Sequence, residues 1–328
     1  MEIFLGVDGG ANKTFALATD RAGRVIGFGQ AGCANHQVTG LEAAIGEIEK
    51  ACRAALGDRR ATYASFCLAG ADIAVDFAML RPAIEGLRVA STFDLRNDTW
   101  AAMRAGTTAP WGVVVICGSG LNAAVRAPDG REFILPNLGW PSGDHGGGGD
   151  ISRLAIGAIA REWDGRGPAT MLTERILKHF DYPNYETLLE AIYTRKLPNQ
   201  RIYEVARLVF EAAFEGDAVA QDLVMRTGTE IGHVAGSLLQ RMQMHREACN
   251  VVTGGSIFKA VGPLLMDSAN LALHRIAPLA RFTRARVEPV VGALMLAYDL
   301  HGYSVDEAVV YTELPKQLHI DAEGETQI

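Results

Sequence analysis

The stretch Gly6-Val7-Asp8-Gly9-Gly10-Ala11-Asn12-Lys13-Thr14 separates two β-like runs near the start of the chain. Residues 2–8 predict a strand, residues 14–20 its antiparallel return, and residues 24–31 a third strand. Glycines in the turn let amide N–H groups approach an anion closely, and an aspartate ending a strand could hold a metal ion through water. A plain hairpin would look similar, because the Walker spacing is absent. Alone, the stretch leaves phosphate binding open.

A second glycine hairpin repeats this pattern. Residues 111–117 predict an apolar strand, Gly118-Ser119-Gly120 a turn, and residues 121–126 the returning strand. We interpret the repeat as an internal duplication. Two such loops facing each other would clamp a triphosphate from both sides, so the pair indicates nucleotide binding far more specifically than either hairpin.

The rest of the chain alternates predicted helices and strands, which indicates an α/β fold. Helical periodicity dominates residues 152–246 and predicts a long helical insert. A final apolar helix begins at Pro289, and the polar residues 313–328 predict a loose tail. The other predicted helices span 41–56 and 77–87, and the other predicted strands span 63–68, 89–95, 249–253 and 279–283.

Composition excludes several classes of function. Lysine and arginine number 31 against 38 acidic residues, a net charge of −7, which argues against a nucleic-acid partner. The longest apolar stretches, such as residues 111–117, are too short to span a membrane. The opening residues show no export signal. The five scattered cysteines form no CxxC pair, which argues against both a disulfide framework and a zinc site. We therefore expect a cytoplasmic protein.

Three further motifs could contact a ligand. Asn97-Asp98 ends a predicted strand, where α/β sheets bind ligands, although Asp98 could simply cap the next helix. Residues 140–145 combine Trp, Asp and His ahead of four glycines, which favours a sugar-binding loop over a disordered linker. The motif Thr253-Gly254-Gly255-Ser256 could hold adenine or ribose, but is weak alone.

Taken in order, these motifs resemble those of the BadF/BadG/BcrA/BcrD ATPase family, within the actin, hexokinase and Hsp70 superfamily. The resemblance covers about residues 2–300. Within the family, the chain is most similar to N-acetylglucosamine kinases. That likeness rests on Ala34-Asn35-His36, Asn122, Gly139-Trp140 and Gly143-Asp144. The family likeness rests on Asp8-Gly9-Gly10, Lys13-Thr14, Leu68-Ala69-Gly70, Asn97-Asp98, Gly118-Ser119-Gly120, Thr253-Gly254-Gly255 and Pro289-Val290-Val291-Gly292-Ala293.

The resemblance implies two ribonuclease-H-like (actin-like ATPase) domains that close over a cleft. The first would comprise residues 1–108 and 289–312, and the second residues 109–288, with the insert at about 152–246. A homodimer is also implied. ATP and Mg²⁺ would lie in the cleft beside an amino sugar, most directly N-acetylglucosamine, whose 6-hydroxyl would be phosphorylated.

The resemblance also assigns roles to individual residues. Asp98 would be the general base, and Asp8 would organise Mg²⁺. The sugar would contact Asn35, Asn122, Trp140, Asp144 and His145. The nucleotide would contact Asp8, Gly9, Gly10, Asn12, Lys13, Thr14, Gly118, Ser119, Gly120, Gly254 and Gly255.

Three positions depart from the family pattern. Asn12 replaces a usual Thr, His145 replaces a usual Glu, and residues 146–149 replace a Gly-Ser type sequence. Glucosamine or another amino sugar is therefore an alternative substrate. A second alternative is an ATPase that activates a radical dehydratase or CoA reductase, but the cysteine segment that holds the iron–sulfur cluster in such proteins is absent. A third, a non-catalytic sugar sensor, would need a helix-turn-helix that the chain does not show.

Overall fold

The computed structural model describes residues 1–107, 109, 111–136, 138–259, 262–285 and 287–319. Its first sheet has the order β3-β2-β1-β4-β5. In that sheet β1 is antiparallel to β2 and parallel to β4, β2 is antiparallel to β3, and β4 is parallel to β5. Its strands are β1 (Ile3–Gly9), β2 (Thr14–Asp20), β3 (Val25–Ala31), β4 (Ala61–Leu68) and β5 (Ala90–Asn97).

The second sheet repeats this topology. Its order is β10-β9-β6-β7-β8, with β6 antiparallel to β7 and parallel to β9. The strand order and directions match those of the first sheet, which supports the internal duplication. Its strands are β6 (Gly112–Cys117), β7 (Leu121–Arg126), β8 (Glu132–Ile134), β9 (Asn250–Gly254) and β10 (Arg281–Arg284). The short strand β8 was not predicted from the sequence.

Helices cover both sheets, as predicted for an α/β fold. The helices before the second sheet are α1 (His36–Thr39), α2 (Leu41–Leu56), α3 (Ala74–Gly86) and α4 (Asp98–Ala105). Those between β8 and β9 are α5 (Gly148–Trp163), α6 (Met171–Phe180), α7 (Tyr185–Tyr193), α8 (Asn199–Ile202), α9 (Val205–Phe214) and α10 (Ala218–Arg241). The last are α11 (Leu264–Ile276), α12 (Pro289–Asp299) and α13 (Glu307–Glu313). Among the described residues, none of the helices combines the length and apolar character that a membrane span requires.

Helices α4 and α12 lie between the two sheets. One hydrophobic cluster joins Trp100 and Met103 of α4 and Leu296 of α12 to Cys67 of the first sheet and Val114 of the second. Glycine allows this close approach, because a methyl group on Gly292 would lie 1.9 Å from the carbonyl oxygen of Ala101. The helix that begins at Asp98 is therefore fixed in the middle of the molecule.

Buried Arg104 ties α4 to the end of the chain. Its guanidinium donates to Asp299 at 2.7 Å, to Glu307 at 2.6 Å and to the carbonyl of Thr107 at 2.8 Å. All three bonds use N–H donors of one planar guanidinium group, so they fix the relative orientation of α4, α12 and α13.

The first strand also packs against the late helix α12. A methyl group on Gly6 would lie 2.2 Å from the backbone nitrogen of Leu294. The ring of Phe4 stacks on that of Tyr298 at a centroid distance of 3.9 Å, and the Tyr298 hydroxyl lies 2.7 Å from that of Thr19. The two ends of the described chain therefore form one core.

Two predicted segments differ from the structure. The tail is not loose from its start, because Leu314 and Leu318 are buried against α12 and Val287 bridges to His319. Residues 320–328 lie outside the described residues. The helical insert begins at Gly148 rather than near 152, because Gly148 and Gly149 pack closely against the second hairpin and form the first turn of α5.

Candidate functional site

The site lies at the carboxyl ends of the central parallel strands, where α/β folds bind ligands. In the first sheet, Asp8 stands near the end of β1, and Leu68 pairs with Asn97 at the ends of β4 and β5. In the second sheet, β6 ends at Cys117 beside Gly254 at the end of β9.

The first hairpin presents an exposed tip. The Gly10 amide donates to the Lys13 carbonyl at 2.9 Å, while residues 11–13 are exposed. Within the described residues, the amides of Ala11 and Asn12 have no backbone hydrogen-bond acceptor. Thr14 is different: it is fully buried, and its hydroxyl donates to the Gly32 carbonyl at 2.7 Å. The Thr14 side chain therefore supports the hairpin and does not present its hydroxyl at the tip.

The second hairpin packs on the first turn of α5. The Gly148 amide donates to Gly118 at 2.7 Å, and the Gly149 amide donates to Ser119 at 2.8 Å. A methyl group on Gly147 would lie 2.4 Å from Cα of Gly120, so glycine is needed there for close approach. The glycine run at residues 146–149 is therefore packed against the second hairpin.

The turn after β9 lies against the same hairpin. Gly255 has a φ of +99°, and a methyl group there would lie 2.3 Å from the Cys117 carbonyl oxygen. The Cys117 thiol donates to the Gly146 carbonyl at 3.0 Å, and burial raises its pKa to about 12. The structure therefore brings Gly254 and Gly255 together with Gly118, Ser119 and Gly120.

Asp98 is the first residue of α4 and not its cap. The neighbouring Asn97 caps the helix, because its side-chain oxygen accepts the Thr99 amide at 2.9 Å. The pKa of Asp98 is raised to about 6, first by burial and then by the Asp72 carboxylate, while hydrogen bonds from the amides of Thr99 and Asp98 act in the opposite direction. A carboxylate with this pKa is mostly ionised at neutral pH and is basic enough to accept a proton.

Asp8 lies near Asp98 and Glu288. Burial and then these two carboxylates raise the pKa of Asp8 to about 8, while Lys13 lowers it. The Lys13 ammonium forms an ion pair with Glu288 at 3.3 Å. The site thus concentrates negative charge where a cation would reduce repulsion between carboxylates.

Asp98 also stands beside the second sheet. The side-chain amide of Asn122, on β7, donates to the Thr99 hydroxyl at 3.3 Å. Because β7 returns directly from the second hairpin, this contact joins that hairpin to the first turn of α4. Asp98 therefore lies in a helical turn that contacts the strand following the second hairpin.

Two of the predicted sugar-binding residues, Asn35 and Asp144, accept hydrogen bonds from neighbouring residues of their own segments. Asn35 caps α1 by accepting the Gln37 amide at 2.9 Å and lies next to Gly70. Asp144 accepts the Gly139 amide at 2.7 Å and the Ser142 hydroxyl at 2.6 Å, so it shapes its own loop.

His145 is exposed beyond that loop. Its imidazole lies 3.7 Å from the Asp150 carboxylate on α5. The side chain of Trp140 lies outside the part of the chain that the structure describes.

Three residues near the site were not predicted from the sequence. The Gln37 side chain donates to Asp72 at 3.4 Å, and Glu288, which immediately precedes α12, pairs with Lys13. Asp72 follows the Gly70 motif at the end of β4, so the strand-end argument that selected Asp98 could also have found it. Glu288 precedes a proline at the first position of a helix, which marks a cap.

Comparison with known proteins identifies the family. A sequence model described as the BadF/BadG/BcrA/BcrD ATPase family matches residues 5–297. The chain belongs to this family. The resemblance drawn from the ordered motifs is therefore confirmed.

Family relatives of known name are similar along nearly their whole length. The chain is 27% identical over 313 residues to the N-acetyl-D-glucosamine kinase of Dictyostelium discoideum, covering 90% of this chain and 98% of the relative. It is 24% identical over 302 residues to the N-acetylmuramic acid/N-acetylglucosamine kinase of Clostridium acetobutylicum, with coverages of 90% and 98%.

A solved structure shows the same fold. It comes from Chromobacterium violaceum, carries the provisional name N-acetylglucosamine kinase, and matches with a TM-score of 0.65 at 19% identity. The match covers 90% of this chain and 99% of that one. The actin-like ATPase fold expected from the sequence is confirmed.

Proposed function

We propose that this family member is an ATP-dependent kinase for the 6-hydroxyl of an amino sugar, most directly N-acetylglucosamine. The observation that carries the proposal is the surroundings of Asp98. Its charge raises the pKa of Asp8 beside the first hairpin, and Asn122, on the strand after the second hairpin, donates to the neighbouring Thr99 at 3.3 Å. The names of the relatives support the choice of substrate class. In this proposal each sheet belongs to one of two lobes, and the lobes close over ATP and the sugar with α4 between them.

The hairpins suit the phosphates of ATP. Their tips are exposed, and within the described residues the amides of Ala11, Asn12, Ser119 and Gly120 have no backbone acceptor. Free amide donors in glycine turns bind anions well, because little side-chain bulk keeps the phosphate away. We assign the phosphates to these amides and to Lys13, and the adenosine to the turn at Gly254 and Gly255.

The acidic residues suit Mg²⁺ bound through water and phosphate. Within the described ranges, no group of three or more His, Cys, Asp or Glu side chains is placed to hold a metal alone. Mg²⁺ usually takes one or two carboxylates and completes its shell with water and nucleotide oxygens. Asp8 fits that role, and the ion would neutralise charge on the transferring phosphate.

The proposed chemistry assigns one proton transfer to Asp98. As the sugar oxygen bonds to the γ-phosphorus and the bond to the ADP oxygen breaks, the Asp98 carboxylate accepts the hydroxyl proton. The amide donors stabilise charge on the phosphoryl oxygens. Exclusion of water by closing lobes would limit ATP hydrolysis.

The sugar would lie between Asn35 and Asp98 of the first lobe and Asn122 and Asp144 of the second. One Asp144 oxygen holds its loop, so we assign the other to a sugar hydroxyl. His145 replaces an acid and can donate as well as accept, which makes glucosamine or another amino sugar the alternative substrate.

The alternative of an iron–sulfur activating ATPase receives less support. Cys117 is buried inside the second sheet, and the raised pKa of its thiol opposes metal ligation. Nothing in the described site favours this alternative.

The test is an ADP-release assay with Mg-ATP over a panel of N-acetylglucosamine, glucosamine, N-acetylmuramic acid, N-acetylmannosamine and glucose. We expect an amino sugar to stimulate turnover and ³¹P NMR to show a 6-phosphate. Absence of stimulation by every sugar on the panel would refute the proposal.

A further inference from the structure

Asp72 has an extensive hydrogen-bond network that the proposed mechanism does not use. It lies in the loop between β4 and α3 and is half-buried beside Asp98. Its carboxylate accepts the side-chain amide of Asn97 at 2.7 Å and that of Gln37 at 3.4 Å. An ionised carboxylate accepts only, so both partners must present their NH₂ groups to it.

This requirement fixes the orientation of Asn97. Because its NH₂ group faces Asp72, its oxygen faces α4, where it accepts the Thr99 amide at 2.9 Å and the Thr99 hydroxyl. Asp98 lies between these two residues in sequence. Asp72 therefore controls the cap that sets the first turn of the helix carrying the proposed base.

Asp72 also connects to the loop that carries Asn35. Gln37 donates through its side chain to Asp72 and to the Gly70 carbonyl at 3.2 Å, and through its backbone to Asn35 at 2.9 Å. The same carboxylate thus contacts the element proposed to bind sugar and the element proposed to deprotonate it.

The loop around Asp72 is itself held in place. Asp76 accepts the backbone amides of Asp72 at 3.1 Å and Ile73 at 2.9 Å. The imidazole of His36 lies 3.3 Å from the other oxygen of Asp76. These bonds limit the freedom of the Asp72 backbone, so its carboxylate is a preorganised acceptor.

We propose that Asp72 is a positioning residue. By fixing the side chains of Asn97 and Gln37, it holds Asp98 and the Asn35 loop at a fixed position relative to each other. The proposal rests on the proposed kinase function. In this proposal Asp72 acts through Asn97 and Gln37, and no contact with the phosphate or the reacting hydroxyl is assigned to it. Its essential property is an acceptor oxygen at a fixed place.

The experiment separates the acceptor from the charge. Asp72→Ala removes both, whereas Asp72→Asn keeps one oxygen for Asn97. We expect Asp72→Ala to lower kcat by about 10- to 100-fold through misplacement of the base. The KM for Mg-ATP should stay within about twofold, because the hairpin donors are untouched. Asp72→Asn should recover most of the lost kcat.

A double-mutant cycle tests the path through Asn97. If Asp72 acts through it, Asp72→Ala combined with Asn97→Ala should be no slower than the slower single variant. Asp58→Ala is the matched control, since it removes an exposed carboxylate in the same lobe and should leave kcat unchanged. Melting curves check that each variant is folded, and Asp72→Ser replaces Asp72→Ala if the latter does not fold.

Two results would overturn the positioning role. The first is a kcat for Asp72→Asn as low as that of Asp72→Ala, and the second is a loss of kcat in the double variant equal to the product of the two single losses. Wild-type turnover on the sugar panel is measured first. If the wild type shows none, the proposed function fails and this inference with it. If the wild type is active, only the variants decide the role of Asp72.

Discussion

Asp98 is the proposed base, and its pKa of about 6 suits a carboxylate that accepts a proton from a hydroxyl. Asp98→Asn keeps the size of the side chain and removes its ability to accept a proton. We expect kcat to fall by about 100-fold or more, with ATP affinity near normal because the phosphate donors are unchanged. The measurements are sugar-dependent ADP release and nucleotide titration. Unchanged turnover would remove Asp98 from the role of base.

Asp8 should make stability depend on pH. Its pKa is about 8 in the folded protein against an ordinary value of 3.8, so the folded state holds the proton more tightly. This group therefore favours folding at low pH, and its contribution is lost as pH rises from about 4 to 8. Without Mg²⁺, Asp8→Asn should gain stability over the wild type by about 1 kcal/mol or more between pH 5.5 and 8.

Urea unfolding at several pH values measures this difference. Asp129→Asn serves as control, because its exposed carboxylate beside Arg131 has a lowered pKa and is ionised throughout that range. If the difference in unfolding free energy between Asp8→Asn and the wild type did not change with pH, a raised pKa for Asp8 would be contradicted.

The sequence could place Asp8 and Asp98 at strand ends, but not the contacts around them. Asp72 meets Asn97 because Leu68 pairs with Asn97 in the β4–β5 register, and register is set by tertiary packing. Asn97 and Asp98 are equally good cap residues, so sequence alone could not decide which one caps α4.

At the scale of elements, the junction between the second hairpin and α5 is the most sensitive to added bulk. Gly147→Ala would force a methyl group against backbone of the hairpin, although the φ of Gly147, −81°, suits alanine. We expect weaker Mg-ATP binding, by about 10-fold, because the hairpin donors shift.

Gly157→Ala in the same helix is the matched control. A methyl group there meets nothing within 4 Å, and alanine should stabilise a helix interior by roughly 0.5–1 kcal/mol. Calorimetric titration with Mg-ATP and melting curves compare the two variants. Equal affinities would show that the junction does not control the hairpin.

Element boundaries were predictable where periodicity was strong. β2, α2 and β7 match the predicted ranges, whereas α13 and β8 were missed. The packing of residues 146–149 was not predictable, because the sequence of a glycine run is the same whether the run is mobile or closely packed. Only the neighbouring backbone of residues 118–120 distinguishes the two.

At the scale of the molecule, Arg104 links the helix of the proposed base to the end of the chain. Replacing it with methionine would keep apolar packing but leave Asp299 and Glu307 without their cation. We expect a loss of roughly 3 kcal/mol in the free energy of unfolding, because removing one partner of a buried pair is costly.

Urea unfolding measures that loss. Arg226→Met is the control, because Arg226 pairs with Asp222 on an exposed helix face and such pairs contribute about 0–1 kcal/mol. Similar losses in the two variants would mean that the Arg104 network adds no more than a surface pair.

The two-sheet architecture was predictable because the duplicated hairpins and ordered motifs specify it. The assignment of residues 1–108 and 289–312 to one domain and 109–288 to the other stays a prediction. The packing of the chain end was not predictable, since the polar composition after residue 312 conceals two buried leucines.

The contact of the first strand with α12 has a consequence for the newly made polypeptide. Phe4, Phe15 and Leu17 share a core with Leu294 and Tyr298. A ribosome adds about 5–20 residues per second, so these early side chains wait on the order of tens of seconds for their partners. During biosynthesis, that face of the first sheet therefore stays without its native cover until α12 has been made.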